Sequence, residues 1–521
     1  MVIAVGGTDP TSVLPPFAVD ATGRAVADQL FERLAEIGDD LNTLGAFQPR
    51  LASGWAWSRD SLSIAFTIDP RARWHDGQPV RAADARFSFG LLKDPKTGTG
   101  FTATIGNIDS VTVRDSMTAV AWFHRRMPSQ FYDVAYQLYV LPEHLLKDIP
   151  HDKLQASDFA RAPVGSGRFR FVRWEPGVRI EIVADTTHYR GRPKLDRIVW
   201  SMTSDASTAI TQLLAGQADL YENLPPDVIA RVDSSRDVRA RPYHGLQYSF
   251  LGLNQRDPKR GAAPHPVLGD VRVRRAISMG LDRAAMLRNV YDTLGVLGSG
   301  PYPRAFADST IAPPPFDRAH ARALLDSAGW TVGADGMRQK NGRPLAFSVM
   351  APTSSRFRMR YAVLIQEQLK DIGVNATLET LDFNAFLRKQ DAHTYDAALF
   401  SAGVDPTPAT IKQNWSTEGM AAGGLNWTQY SNKHVDALLD SSLATFDAGT
   451  ARQLYRRAVQ EIVDDAPAVW LYDVFTVAGV HKRLRPAPMR PDAWWIHLAD
   501  WSIPANERIE RDRIGLRPAT P

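Results

Sequence analysis

The segment Leu62 to Phe89, LSIAFTIDPRARWHDGQPVRAADARFSF, constrains the fold most, because a strand, a tight turn and a capped helix follow one another within it. Leu62, Ile64, Phe66 and Ile68 alternate with Ser63, Ala65 and Thr67, the period of a half-buried strand. Asp76-Gly77 then supplies the chemistry of a chain reversal. After Pro79, the run Arg81 to Phe87 consists of good helix formers, with Val80, Phe87 and Leu91 available for one face. Periodicity alone therefore places a strand and a helix of an α/β domain here.

The chain has 521 residues, too many for one core, and roughly three domain-sized units of about 100 to 200 residues are expected. Apolar residues at 44% and charged residues at 23% describe an ordinary folded globular protein. Lys plus Arg at 61 against Asp plus Glu at 57 leaves +4, dispersed along the chain, which argues against a nucleic-acid partner. With no cysteine, disulfides, thiolate metal sites and cysteine nucleophiles are excluded. No run of about 18 apolar residues exists to span a membrane as a helix.

The Trp74-His75-Asp76-Gly77 centre, with Pro79, Ala83 and Asp84 behind it, resembles the signature region of the family 5 extracellular solute-binding proteins, the dipeptide and oligopeptide receptors of ABC importers. Further segments resemble the same family in the same order. Asp9-Pro10 and Leu14-Pro15-Pro16 precede a helix-like Ala25 to Glu36, and Pro49-Arg50-Leu51-Ala52 with Trp55 leads into the signature. Pro163-Val164-Gly165-Ser166-Gly167 resembles the family's domain crossing, with Arg168-Phe169 in place of Pro-Tyr. A phosphate-cradling loop is the weaker reading of those glycines, since no Gly-Lys-Ser/Thr follows. The resemblance implies a two-lobed α/β periplasmic binding protein fold of type II, cluster C, with an extra α+β second domain. Domain I is expected at 1–40, 163–245 and 475–521, domain II at 41–162, and domain III at 246–474. It also implies that a secretion signal has been removed and that Met1 is an engineered start.

Elsewhere, Ala206 to Leu214 is predicted helical with Gly216 at its end, and Tyr248 to Asn254 reads as a buried strand. Arg272, Arg274 and Arg275 fall at helical spacing and are expected on a solvated face. Asp317 caps a helix through Leu325, Asn341-Gly342 marks a hairpin, and Phe347 to Met350 is a strand. A helix from Tyr361 to Ile372 and a strand from Val374 complete a strand, helix and strand succession, which implies parallel pairing. Val474-Phe475 and Val477-Ala478 are expected as strands returning to the first domain, with Trp494-Trp495 and Trp501 on its outside.

The twelve histidines are scattered, and no zinc-protease motif, nucleophile elbow or Walker loop occurs, so the expectation is a protein with no catalytic role and no cofactor or metal. His75 and His188 are expected to be ordinary hydrogen-bonding residues. For recognition, the segment Tyr395 to Pro408, an apolar strand ending in Gly403 and Asp405-Pro406, resembles the family segment in which an Asp neutralises a ligand's α-ammonium group. That implies a role for Asp405, beside Ala402, Gly403 and Val404, and Ala402 stands where the family often has Trp. Arg356 and Arg358 are the candidates for a ligand carboxylate. Backbone near Thr8 and at Tyr248-Ser249-Phe250 is a candidate for hydrogen bonds to an extended ligand. Trp415 and Trp427 are either pocket walls or core. The implied protein is a periplasmic or lipid-anchored monomeric receptor that captures a short peptide and presents it to an ABC permease. Nickel chelates, opines and oligosaccharides remain alternatives, with a secreted hydrolase more distant.

Overall fold

The computed structural model describes residues 1–99, 105–306, 308–405, 407–421 and 424–513. The chain divides into two compact units, Met1–Tyr243 with Thr476–Pro521, and His244–Phe475.

In the first unit, the described residues form a seven-stranded sheet in the order Val238–Tyr243, Thr476–His481, Leu220–Tyr221, Val2–Val5, Arg197–Ser201, Arg179–Ala184, Phe169–Glu175. Val2–Val5 is central and runs parallel to both neighbours. A separate antiparallel sheet joins Ala52–Trp57, Ser63–Ile68, Thr118–Phe123 and Ile108–Asp115 around its own core of Ile64, Phe66, Ile68 and Trp74. Trp494, Trp495 and Trp501 do not lie outside the main sheet as expected. They are buried within its hydrophobic core with Phe17, Phe31 and Trp200.

The first helix also departs from its reading. It spans Ala21–Leu30, with the Asp20 carboxylate accepting the Gly23 N–H at 2.7 Å, and stops where the apolar pattern would carry it to Glu36. The cause is tertiary. Gly167 N–H donates to the Leu30 carbonyl at 2.8 Å, and a Cβ on Gly165 would stand 1.8 Å from that same oxygen. Two glycines thus let a second chain segment close over the helix end, and Ala35–Glu36 leaves as a short strand.

The signature segment is scaffold by its contacts. Trp74 is fully buried and its indole N–H donates to Asp84 at 3.3 Å, while Asp84 also accepts the N–H groups of Arg81 and Glu143. Gly77 takes φ +90° in the turn. His75 accepts the Gly165 N–H at 3.1 Å and pairs through Nε2 with the Gly167 carbonyl at 2.9 Å. Burial pushes its ring down to about 4, so it stays neutral. His188 likewise bonds the Ser166 carbonyl at 3.0 Å.

The second unit carries a six-stranded sheet among the described residues, ordered Gly295–Leu297, Ala468–Val474, Gln247–Leu253, Ala397–Gly403, Ala346–Pro352, Asn375–Leu381. The last two pair in parallel across the helix Arg356–Lys370, as the strand, helix and strand succession requires. Alternation along the strands sorts two cores. Leu251, Leu399 and Leu471 face the helices Val271–Gly280 and Arg356–Lys370, whereas Phe250, Phe400 and Trp470 face Ala409–Trp415 and Ala448–Asp465. Val474 belongs to this sheet, and the return to the first unit begins at Thr476. Asn341 and Gly342 both take positive φ in a tight hairpin. Arg274 is not on a solvated face. It is 4% exposed and donates to the carbonyls of Asp465, Leu268 and Gly269, so a cation meets the open C-terminal carbonyls of the helix Ala448–Asp465.

Candidate functional site

The register of the second unit's sheet gathers most of the predicted residues at one end. Gln247 opposes Gly403 and Tyr248 opposes Ala402. On the other side, Ser249 opposes Tyr472, so Asp473 emerges at the same end as Gly403. Val404 N–H donates to the Leu246 carbonyl at 2.9 Å, which carries the pairing past the strand and leaves Asp405 exposed just beyond it. The Asp405 carbonyl accepts the Thr407 N–H at 2.7 Å and the Thr410 hydroxyl at 3.2 Å, which fixes its backbone beside an exposed carboxylate.

Beside this end lies an aromatic nest. Trp415 Nε1 donates to the Tyr248 hydroxyl at 3.1 Å, and the Trp415 and Trp470 rings meet edge to face at 4.9 Å. Phe250 stacks toward Trp427 at 6.4 Å, and Phe400 lies 5.0 Å from the same indole. Tyr248, Phe250, Ala402, Asn414, Trp415 and Trp427 line a crevice too narrow for a water molecule. Trp415 is core at 2% exposure, whereas Trp427 is half-buried. The Ala402 methyl closes this crevice where a larger side chain would fill it.

Other predicted residues are placed elsewhere. From Ser249 to Gly252 the strand Gln247–Leu253 is paired on both sides, so Phe250 contributes its side chain and has no backbone edge to offer an extended ligand, whereas Tyr248 is paired with Ala402 on one side. Arg356 and Arg358 do not precede the helix; they stand in its first turn, because Ser355 caps it five residues ahead of the predicted start. The Arg356 guanidinium lies 4.8 Å over the Phe357 ring. The Arg358 charge acts on Tyr291 and Tyr472, members of the core on the opposite sheet face from Phe250. Thr8 is exposed in the first unit, beyond the strand Val2–Val5. Pro406 lies outside the described residues.

Two residues at this sheet end were missed from sequence. Asp473 is 6% exposed, its Oδ2 accepts the Arg304 N–H, and its Oδ1 has no hydrogen-bond partner among the described residues. Burial pushes its carboxyl up to about 7, against the pull of the Arg304 N–H and charge. Arg304, exposed on the loop over the sheet end, also holds the His244 ring below its ordinary value together with burial, which is the larger cause. The available signal was an acid inside the apolar strand AVWLYDV, a place where a carboxylate needs a reason. Among the described residues, no group of three or more His, Asp and Glu is placed to hold a metal ion. None of their helices is long and apolar enough to cross a membrane.

An exposed carboxylate, a buried carboxylate with a free oxygen, a guanidinium and an aromatic wall can recognise a zwitterion with an apolar part. Known proteins agree with the fold and locate the family. Oligopeptide-binding protein AppA of Bacillus subtilis is 25% identical over 507 residues, 94% of this chain and 90% of that protein. The structure of AppA from Bacillus subtilis in complex with a nonapeptide superposes with a TM-score of 0.72 at 23% identity, covering 96% of this chain and 98% of that one. NikZ from Campylobacter jejuni in complex with Ni(L-His) gives a TM-score of 0.74 at 22% identity, with 96% and 99% covered. Residues 46–421 match the bacterial extracellular solute-binding proteins, family 5, middle region, and the chain belongs to that family.

Proposed function

We propose that this solute-binding protein captures a short peptide, with Asp405 and Asp473 facing its α-ammonium end and Arg304 its carboxylate. The observation that carries the reading is the Oδ1 of Asp473, a buried acceptor 6% exposed and without a donor among the described residues, at the same sheet end as Asp405. A ligand ammonium would supply that donor and favour the ionised carboxylate. The nonapeptide bound by AppA supports a peptide; the Ni(L-His) bound by NikZ keeps a metal chelate as the rival. Gly403, Val404 and Trp427 form the wall against which an apolar side chain packs, and Tyr248, Phe250, Ala402 and Trp415, buried behind it, hold that wall in place. Within the first unit, 41–162 serves as an accessory domain, as its separate sheet and core suggest. The protein turns nothing over, acts as a single copy on the outer side of the cytoplasmic membrane, and hands its ligand to an ABC permease.

Calorimetric titration with short peptides, free and N-acetylated, tests this. Free peptides should bind, acetylation should weaken binding, and Asp405→Ala and Asp473→Asn should each reduce affinity by about tenfold, the scale of a charge-assisted hydrogen bond. Unchanged peptide affinity in both variants sinks the assignment. Binding of nickel-histidine in preference to every peptide replaces the ligand class.

A further inference from the structure

At the C-terminal end of the helix Ala21–Leu30, the first unit encloses a cavity of about 290 Å³ with charged walls. Its acids are matched. Asp28 pairs with Arg33 at 2.9 Å, Glu32 with Arg190 at 2.6 Å, Glu36 with Arg490 at 3.0 Å and Asp500 with Arg168 at 3.2 Å. His497 on the wall turns its Nε2 to Asp39 at 2.7 Å. Arg50 is the exception. Its side chain donates only to the neighbouring Pro49 carbonyl at 3.3 Å, and among the described residues no carboxylate oxygen lies within 4 Å of it. Four of five guanidinium N–H groups are therefore without a protein acceptor.

We propose that this cavity binds a small oxyanion of the phosphate or carboxylate class, received by the Arg50 guanidinium with Gln48 and His497 at the wall. Each lining acid already has a guanidinium partner, so Arg50 is the lining cation whose N–H groups stay open to a ligand, with Glu36 and Glu32 close enough to act on its charge. The planar fork of a guanidinium matches two oxygens of a carboxylate or phosphate. The backbone that carries the donor is held in place beforehand. Arg50 N–H bonds the Leu34 carbonyl at 3.2 Å, next to the short pairing of Ala35–Glu36 with Gln48–Pro49, so ordering on binding is confined to the side chain. Burial, and after it the nearby charge of Arg190, hold the Arg50 guanidinium below its ordinary value against the pull of Glu36 and Glu32, and a bound anion would add to that pull. None of the residues proposed for peptide capture takes part.

The test is thermal unfolding of the full chain in sodium phosphate, sulfate and acetate, each against sodium chloride at matched ionic strength. Phosphate or acetate should raise Tm beyond chloride by mass action, and the stronger of the two identifies the source of the oxyanion. Arg50→Gln should abolish that difference and weaken anion affinity, read by calorimetry, about tenfold or more, with peptide affinity unchanged. Arg50→Lys keeps the charge without the fork and should retain only part of the response. An equal response to chloride in the wild-type protein, or a full oxyanion response in Arg50→Gln, overturns the proposal.

Discussion

The aromatic nest of the second unit and the charged cavity of the first solve the same problem, filling space beside a sheet, with opposite chemistry. Tyr248, Phe250, Trp415 and Trp470 interlock so closely that the crevice among them excludes water, whereas the ion pairs around Arg50 leave about 290 Å³ open. Dispersion is non-directional, so rings slide until gaps vanish. Ion pairs fix distances and angles and keep their remaining N–H and oxygen groups wet, so they hold a cavity open. The lesson is that volume survives where polar geometry forbids collapse, and each region should fail in its own way.

The largest effect is expected in the nest. Trp415→Ala removes a 2% exposed indole and its bond to Tyr248 and should cost about 3–5 kcal/mol, read from urea unfolding of the second unit. A loss below about 1 kcal/mol would show that the nest is not close-packed.

Next comes the cavity wall. Glu32→Gln leaves Arg190 without its counter-charge and should cost about 3 kcal/mol in the first unit. Burial opposes ionisation of Glu32, yet Arg190 and His188 outweigh it and hold the carboxyl below its ordinary value. Its contribution is therefore full above the unfolded-state value near pH 4 and is lost as pH falls through the folded one. An acid limb of stability that is the same in wild type and Glu32→Gln would refute this.

Asp473 gives the smallest and oppositely signed effect. Its carboxyl is raised to about 7, so the folded state keeps a proton that the unfolded chain has shed, and stability falls as pH rises from about 4 to about 7. Between pH 5 and pH 7 the wild-type protein should lose about 2 kcal/mol that Asp473→Asn keeps. Parallel pH profiles for the two proteins would remove the buried carboxylate from consideration. Saturating peptide should flatten the wild-type profile if the ligand ammonium meets this group.

Much of this was legible in the residues. The period-two run at Ser63–Ile68, the Asp317 cap and the Asn341-Gly342 hairpin depend on neighbours a few positions away, and each forms where its pattern indicates. Reading failed where distant chain intervened. The first helix stops at Leu30 because Gly167 reaches its carbonyl, Arg274 is buried because the end of another helix needs a donor, and Trp501 is core because the C-terminal segment folds back among Phe31 and Trp200. For the candidate site, the strand carrying Ala402 and the acid after it were visible, but Asp473 and Arg304 join Asp405 only through sheet register. They lie 68 and 101 residues from it in sequence, by subtraction of their numbers.

By itself, then, the sequence determined the order of strands and helices and the family, because hydrophobic period, capping and turn chemistry act over a few residues. Only the tertiary structure decided which carboxylate is buried with a free oxygen and which arginine lacks a partner. Burial and charge compensation are sums over everything that surrounds a group, and no local pattern of residues contains that sum.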